Sequence, residues 1–374
     1  MKICFLTKSN PEDKTSWSGI YYSMYINLKR THEVEWIGKI NFKLWQSLII
    51  KAEYFYNKIV VGKVPLHSSK FSRFYAQNVK EKLLINSYEL IFAPVASGLI
   101  CYLDTPIPII YLSDTTFQLM VDYYQEFTSL DLPKLNKGNE IEKKAIDKAS
   151  KVIFSSQWAR KSAIDFYLAS PEKVFVFEFG ANLLHEPCVK DLDFNETEIC
   201  NILFLGVDWD RKGGQKAYNT FLELKRRGFN CTFTIVGCNP DLGLRDPSIT
   251  ILPFINKNKS EDFDKFYKIL LQTHILLLPT KAECFGIVFC EASAFGIPSI
   301  ATLTGGVSSA VKEGLNGYLI DVNADEKIFA DKIYSIFIDK ETFKKLRIST
   351  RKEYESRLNW SAWVGKFNNL ISDL

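Results

Sequence analysis

Apolar and polar positions along the chain fall into two series of short strands, each interleaved with longer amphipathic stretches. In the first series, runs rich in β-branched and aromatic residues occupy 2–7, 33–38, 88–93, 108–113, 151–155 and 173–179. The second series occupies 201–207, 231–237, 249–255, 274–279, 298–303 and 318–321. Strands alternating with helical patterns predict parallel sheets joined by helical crossovers, and two such series predict two doubly wound α/β domains. Between them, residues 183–198 (LLHEPCVKDLDFNETE) are polar and acidic without strand or helix periodicity, which predicts a linker and a boundary near residue 195. The expected organisation is an N-terminal domain over 1–195 and a C-terminal domain over 196–355. A last helix within 356–374 is expected to pack back on the N-terminal domain.

Composition narrows the class. With 374 residues, 47% hydrophobic and 24% charged, the chain has ample apolar surface for two cores and is neither disordered nor fibrous. A net charge of +4 from 47 basic and 43 acidic residues supplies no general field for nucleic acid, so nucleic-acid binding is not expected. The opening MKICFLTKSN has too short an apolar run for a signal peptide, and no stretch approaches a membrane span. The eight cysteines are scattered, without a CxxC pair, and read as reduced core residues of a cytoplasmic protein. Neither a GxGxxG fingerprint nor a GxxxxGK[ST] loop is present, which argues against a nicotinamide cofactor and the common nucleoside triphosphatases.

Three segments carry candidate chemistry. After the strand HILLLPT, the segment KAECFGIVFCEASAFGI places Glu283 in a loop, turns at Phe285, Gly286 and Ile287, and continues as a helix over 288–295. Unsatisfied N–H groups at such a helix start suit a diphosphate. Glu291, one turn beyond Ile287, can accept hydrogen bonds from vicinal hydroxyls, and Glu283 can hold another polyol; alternatively both are solvated surface glutamates. The second segment, DWDRKGG, follows the strand NILFLGV. Its Arg211 can bond phosphate oxygens in bidentate fashion and its Lys212 can act as a point charge; alternatively it is a solvated basic turn. The third, Thr304-Gly305-Gly306-Val307, makes a glycine turn at another strand end.

Taken together, these segments resemble the retaining glycosyltransferases of family 4. The resemblance is carried by Glu283-x7-Glu291 with CFG inside it, FLGVDWDRKGG, VFEFGANL, IFSSQWARKSA and TGGVSSAV, which run in the family's order from about residue 141 to 321. It implies a GT-B fold of two facing Rossmann-like domains with an interdomain cleft. It also implies transfer of a hexose from a nucleotide diphosphate sugar, UDP- or GDP-linked, to a hydroxyl of a glycan or lipid-linked acceptor. Glu283 would hold donor-sugar hydroxyls, Glu291 the ribose, and the backbone at Phe285, Gly286 and Ile287 the sugar and diphosphate. Lys212 matches the diphosphate lysine. Where the family has an arginine after the strand glycine, this chain has Val207, and Arg211 is the substitute. Gly19 matches the first-domain glycine that lets backbone approach the diphosphate, and Gly180 a turn facing the cleft.

At the end of the fourth strand, where many members carry a histidine, this chain has Asp114. It is read either as an acid–base group toward the acceptor or as a helix N-cap in Ser-Asp-Thr-Thr. Asp191/Asp193 and Asp208/Asp210 are Asp-x-Asp pairs of the kind that hold a metal in the other common glycosyltransferase fold. The first lies in the linker and the second abuts two cations, so no metal and no cofactor are expected. Residues 36–82 carry nine basic residues against Glu53 and Glu81, with aromatics interleaved. The segment is either a peripheral contact with an anionic membrane surface or a solvated helix pair with a buried aromatic face. The alternative to an enzyme is a non-catalytic sugar-nucleotide-binding subunit serving a partner transferase.

Overall fold

The computed structural model describes all residues except 39, 41, 57–68, 193, 195–196, 244–245, 253, 257–258 and 374. The chain forms two compact units, Met1–Phe177 with Leu370–Leu374, and Glu178–Asn369.

The first unit is built on strands β1 (Lys2–Leu6), β2 (Glu33–Ile37), β3 (Leu90–Pro94), β4 (Ile109–Ser113), β5 (Lys151–Phe154) and β6 (Val174–Val176). All pair in parallel, in the order β2-β1-β3-β4-β5-β6. Helices α1 (Ile20–Leu28), α2 (Leu44–Tyr56), α3 (Ser69–Ile85), α4 (Ser97–Ile100), α5 (Phe117–Met120), α6 (Leu132–Lys148) and α7 (Gln157–Asp165) make the crossovers. Helices on both faces explain why β3 and β4 read as unbroken apolar runs: every residue in both is buried. At the centre, Phe5 of β1 meets Tyr25 and Phe92 edge-on, with ring centroids 5.3 and 5.5 Å away.

The second unit contains β7 (Cys200–Leu205), β8 (Cys231–Val236), β9 (Ile249–Leu252), β10 (Ile275–Leu278), β11 (Ser299–Thr302) and β12 (Gly317–Ile320), again all parallel. Their order is β12-β11-β10-β7-β8-β9. Around them lie α8 (Gly214–Arg226), α9 (Ser260–Gln272), α10 (Ile287–Ala294), α11 (Val307–Ala310), α12 (Glu326–Ile338), α13 (Lys340–Ser356) and α14 (Trp360–Ile371). In each sheet the first strand lies between strands that wind away on opposite sides, and ligands of such sheets bind beyond the carboxyl ends at that switch point. The switch points fall between β1 and β3 and between β7 and β10.

All twelve strand positions expected from the sequence are occupied by strands. The boundary differs. The division falls at Phe177/Glu178 rather than near residue 195, because the segment after it is anchored into the second unit. Ala181 N–H donates to the Leu358 carbonyl at 3.0 Å, the Trp360 indole donates to Asn182 at 3.1 Å, and the Arg347 guanidinium covers the Phe194 ring. The C-terminal helix likewise belongs to the second unit through Asn369, and only Leu370–Leu374 group with the first. The cysteines are all unpaired and six are buried, but Cys188 is exposed, so the reading of eight core thiols fails there.

Candidate functional site

The first strand of the second unit ends at Leu205, and the chain crosses to α8 through a turn that closes on itself. Lys212 N–H donates to the Asp208 carbonyl at 3.0 Å and Gly214 N–H to the Trp209 carbonyl at 2.7 Å. Gly213 adopts a left-handed backbone (φ 74°), and a Cβ there would overlap the Pro279 carbonyl oxygen, so only glycine fits. The Trp209 ring packs edge-on to Phe204 and fills the space a side chain on Gly214 would need. The turn is thereby held against the end of β10, where Lys281 N–H donates to the Arg211 carbonyl at 2.8 Å.

This closure brings together cations and carboxylate that are far apart in sequence. Lys212 Nζ donates to Glu283 Oε2, and the two residues are only 8% and 9% exposed. Arg211 stands beside them, with its guanidinium 3.9 Å from the same oxygen, while donating to the Ala282 carbonyl at 2.8 Å. Asp208 accepts from Arg211 N–H at 3.0 Å and from its Nε at 3.3 Å, so this aspartate is engaged in shaping the turn. An ammonium has three N–H donors, so the bond to Glu283 leaves Lys212 two further donor directions.

Beyond Glu283, Gly286 caps α10 in a left-handed conformation (φ 87°), where a side chain would collide with Phe289. In its first turn the Phe289 N–H donates to the Gly286 carbonyl at 3.0 Å, and the N–H groups of Ile287 and Val288 have no carbonyl one turn back within the helix. Glu291 lies four residues beyond Ile287, on the same helix, and is fully buried. Gly306, in the glycine turn before α11, donates its N–H to the Glu283 carbonyl at 3.1 Å and holds this loop from the other side. Behind it, Phe179 packs edge-on to Phe285, stacks on Trp360, and accepts from the Cys290 thiol at 3.2 Å. Gly180 sits against the backbone of Asn359 and Trp360, which occupies the space its missing side chain leaves.

In the first unit, Gly19 is the left-handed N-cap of α1 (φ 83°), preceded by two non-glycine residues in the same region, Trp17 (φ 48°) and Ser18 (φ 55°). The Trp17 indole donates to Asp114 Oδ2 at 3.3 Å and its ring packs on Tyr21 at 5.0 Å. Burial first, and the Asp114 charge second, push the Tyr21 phenol above its usual range. The capping alternative for Asp114 is not realised. Helix α5 starts at Phe117, its N-cap is Thr116, whose side chain makes no capping bond, and the Gln118 N–H of its first turn donates to the Tyr167 hydroxyl at 3.0 Å. Neighbouring Tyr111 donates to Glu142 at 2.9 Å, and burial raises the Glu142 carboxyl to about 7.

Sequence reasoning thus named Arg211, Lys212 and Glu283, which the structure brings together, and missed Trp17, Thr280 and Phe179. The Thr280 hydroxyl bonds the Arg211 and Ala282 carbonyls at 3.2 and 3.1 Å and pins the two loops together. Its position at the end of β10 was the only signal for it. Of the Asp-x-Asp pairs, Asp193 lies outside the described residues. Among the described residues, no group of three or more His, Cys, Asp or Glu is placed to hold a metal ion. Likewise, no described helix is long and apolar enough to cross a membrane.

Residues 195–353 match the family Glycosyl transferases group 1. The chain is 24% identical over 288 residues to D-inositol 3-phosphate glycosyltransferase of Corynebacterium efficiens, covering 71% of this chain and 66% of that relative's length. In fold it is similar to sucrose-phosphate synthase from Thermosynechococcus elongatus, with a TM-score of 0.71 and 15% identity over 100% of this chain and 98% of that one. It is also similar to HepE from Anabaena, solved in complex with UDP and glucose, with a TM-score of 0.66 and 17% identity over the whole of both chains. The two parallel six-stranded sheets are those of a GT-B glycosyltransferase fold.

Proposed function

We propose that the chain is a retaining glycosyltransferase that moves a hexose from a UDP- or GDP-linked donor to a hydroxyl of a glycan or lipid-linked acceptor, without a metal or cofactor. The observation that carries this reading is the buried Lys212–Glu283 pair with Arg211 beside it, at the switch point between β7 and β10 and next to the N-terminus of α10. Cations and helix N–H groups converging there suit a departing diphosphate, whose growing charge they stabilise. Losing one such contact typically costs about 2–4 kcal/mol in the transition state. Lys212 and Arg211 bind the diphosphate, Glu283 turns part of its carboxylate to donor-sugar hydroxyls, and Glu291 takes the ribose. The backbone of Phe285, Gly286 and Ile287 faces sugar and phosphate. Gly19 lets backbone approach the diphosphate, Gly180 turns the chain toward the donor, and Asp114 orients the acceptor hydroxyl.

The family resemblance implies displacement on the same face of the sugar, with the leaving phosphate taking the acceptor proton. The names of the relatives and the UDP and glucose held by one structural neighbour support this donor class. The test is to incubate the purified protein with uridine, guanosine and adenosine diphosphate sugars and an acceptor panel, and to read the anomeric configuration of the product by NMR. A product of inverted configuration overturns the retaining route. Tight donor binding with neither transfer nor slow hydrolysis would favour a binding subunit instead, a reading whose support is that Val207, exposed and uncharged, stands at the family's arginine position.

A further inference from the structure

Helix α2 is inverted relative to an ordinary surface helix. Its buried side is polar: Gln46 is 2% exposed and accepts from Asn78 at 3.1 Å and from the Lys43 N–H at 2.9 Å, fixing α2 to α3. Its outward side is apolar. Leu44 is 79% exposed, Leu48 59%, Phe55 57% and Trp45 51%. At 100° per residue these four, with Ala52 and Ile49, occupy an arc of about 140°, and exposed Lys51 lies at its edge. A contiguous apolar face of this kind marks a docking surface rather than scattered surface residues.

We infer that this face of α2 docks on an anionic lipid surface, lying in the plane of the headgroups. Charge decides between occupants. Among the described residues of the surrounding segment 36–82 the basic ones are Lys43, Lys51, Lys70, Arg73, Lys80 and Lys82; Lys43 pairs with Glu81 and Lys80 with Asp104, and the remaining positive excess complements anionic headgroups, whereas a second copy of this chain would bring like charge against like. Of its basic residues, Lys39, Lys58 and Lys63 lie outside the described residues. The helix has 13 residues, about 20 Å of rise, too short to span a bilayer and sufficient to seat four large apolar side chains in the interface. The sequence left a membrane contact and a solvated pair with its aromatic face buried as alternatives; Phe42 packs inward on Phe71 and Tyr75 and Trp45 lies edge-on to Phe74, while the exposure of Leu44, Leu48 and Phe55 favours the first.

The experiment is flotation of the full chain with vesicles of phosphatidylglycerol and phosphatidylcholine in equal parts, against phosphatidylcholine alone. The expected result is flotation with the anionic vesicles, reduced by added salt. The triple variant Leu44→Ser, Leu48→Ser, Phe55→Ser should lower partitioning by about tenfold or more. Lys51→Gln, which removes no apolar surface, should lower it by roughly fivefold. An unchanged melting temperature shows that the triple variant folds; should it not fold, Lys51→Gln and the salt dependence still decide. Absence of flotation overturns the proposal, as does undiminished flotation of the triple variant. So does dimerisation without flotation that the triple variant abolishes, which would mark a second copy as the occupant. Flotation appearing only after residues 57–68 are replaced by a Gly-Ser linker also overturns it, by showing that segment to be the cover. The readout uses neither donor nor acceptor, so its failure and a failure of glycosyl transfer are separate results.

Discussion

Each sheet sends its first strand into a helix through a turn that ends on a left-handed glycine, Gly19 before α1 and Gly213 before α8. The second turn places only glycine in that region and carries two cations that share one buried carboxylate. The first turn also forces Trp17 and Ser18 into left-handed backbone, each at a cost of order 1–3 kcal/mol, and uses an indole where the other uses charge. The same contrast recurs in the buried carboxylates, since Glu283 is neutralised by Lys212 and Glu142 is met only by a phenol and hydroxyls. One architecture therefore supports two kinds of pocket wall. The turn of the second unit is organised by ion pairing, and that of the first by strain and aromatic packing.

The sharpest way to break this contrast is Lys212→Ala. It removes the nearer of the two cations from buried Glu283 and leaves Arg211 3.9 Å away, so stability should fall by up to about 3 kcal/mol in urea unfolding. Transfer should fall by roughly 10²-fold or more, with calorimetry showing weakened donor binding. The double variant Lys212→Met, Glu283→Leu should recover the stability without the binding, whereas recovery of both would dissolve the assignment.

In the first unit the corresponding test is pH. Burial raises the Glu142 carboxyl to about 7 in the folded chain against an ordinary 4.5. The native state thus holds the proton where the unfolded chain has lost it. The stability contribution is full below the unfolded value and lost as pH rises through about 7, by up to about 3 kcal/mol. Glu142→Gln should flatten that dependence between about pH 5 and about pH 8 in denaturant melts. An unchanged slope would place the titration elsewhere.

Asp114→Asn keeps an acceptor for the Trp17 indole and removes the charge. Turnover should drop by roughly 10²-fold with little change in melting temperature. Wild-type turnover would remove Asp114 from the mechanism. The smallest effect is expected from Trp17→Phe, which keeps the ring on Tyr21 and deletes only the indole donor, at about 1 kcal/mol of stability. A null result in thermal melts would mean that ring packing alone holds the left-handed turn.

What could be read from the sequence followed from locality. Strands buried on both faces, such as β4 and β10, are unbroken apolar runs that need no partner to be recognised. The loops at Arg211 and Glu283 are each a few contiguous residues, so their cations, carboxylates and glycines stood in the open. The Trp17 contact was not legible, because its partner is 97 positions away and nothing local to either residue announces the other. The capping reading of Asp114 failed for a related reason: Ser-Asp-Thr-Thr suits a cap, but the helix begins two residues later than that reading needs. Around 183–198, polar composition hid the anchor Phe194. In α2 the periodicity showed two faces, and only the contacts of Gln46 told which was inside.

The division of the chain also orders events in time. It leaves the first unit after Phe177 and returns to it at Leu370, so the second unit is one uninterrupted stretch set within the other. On a ribosome, all six strands of the first sheet emerge before any of the second, yet the buried Leu370 and Ile371 that complete the first unit are made only after the whole second unit. The unit whose strands are made first therefore includes residues made after the other unit.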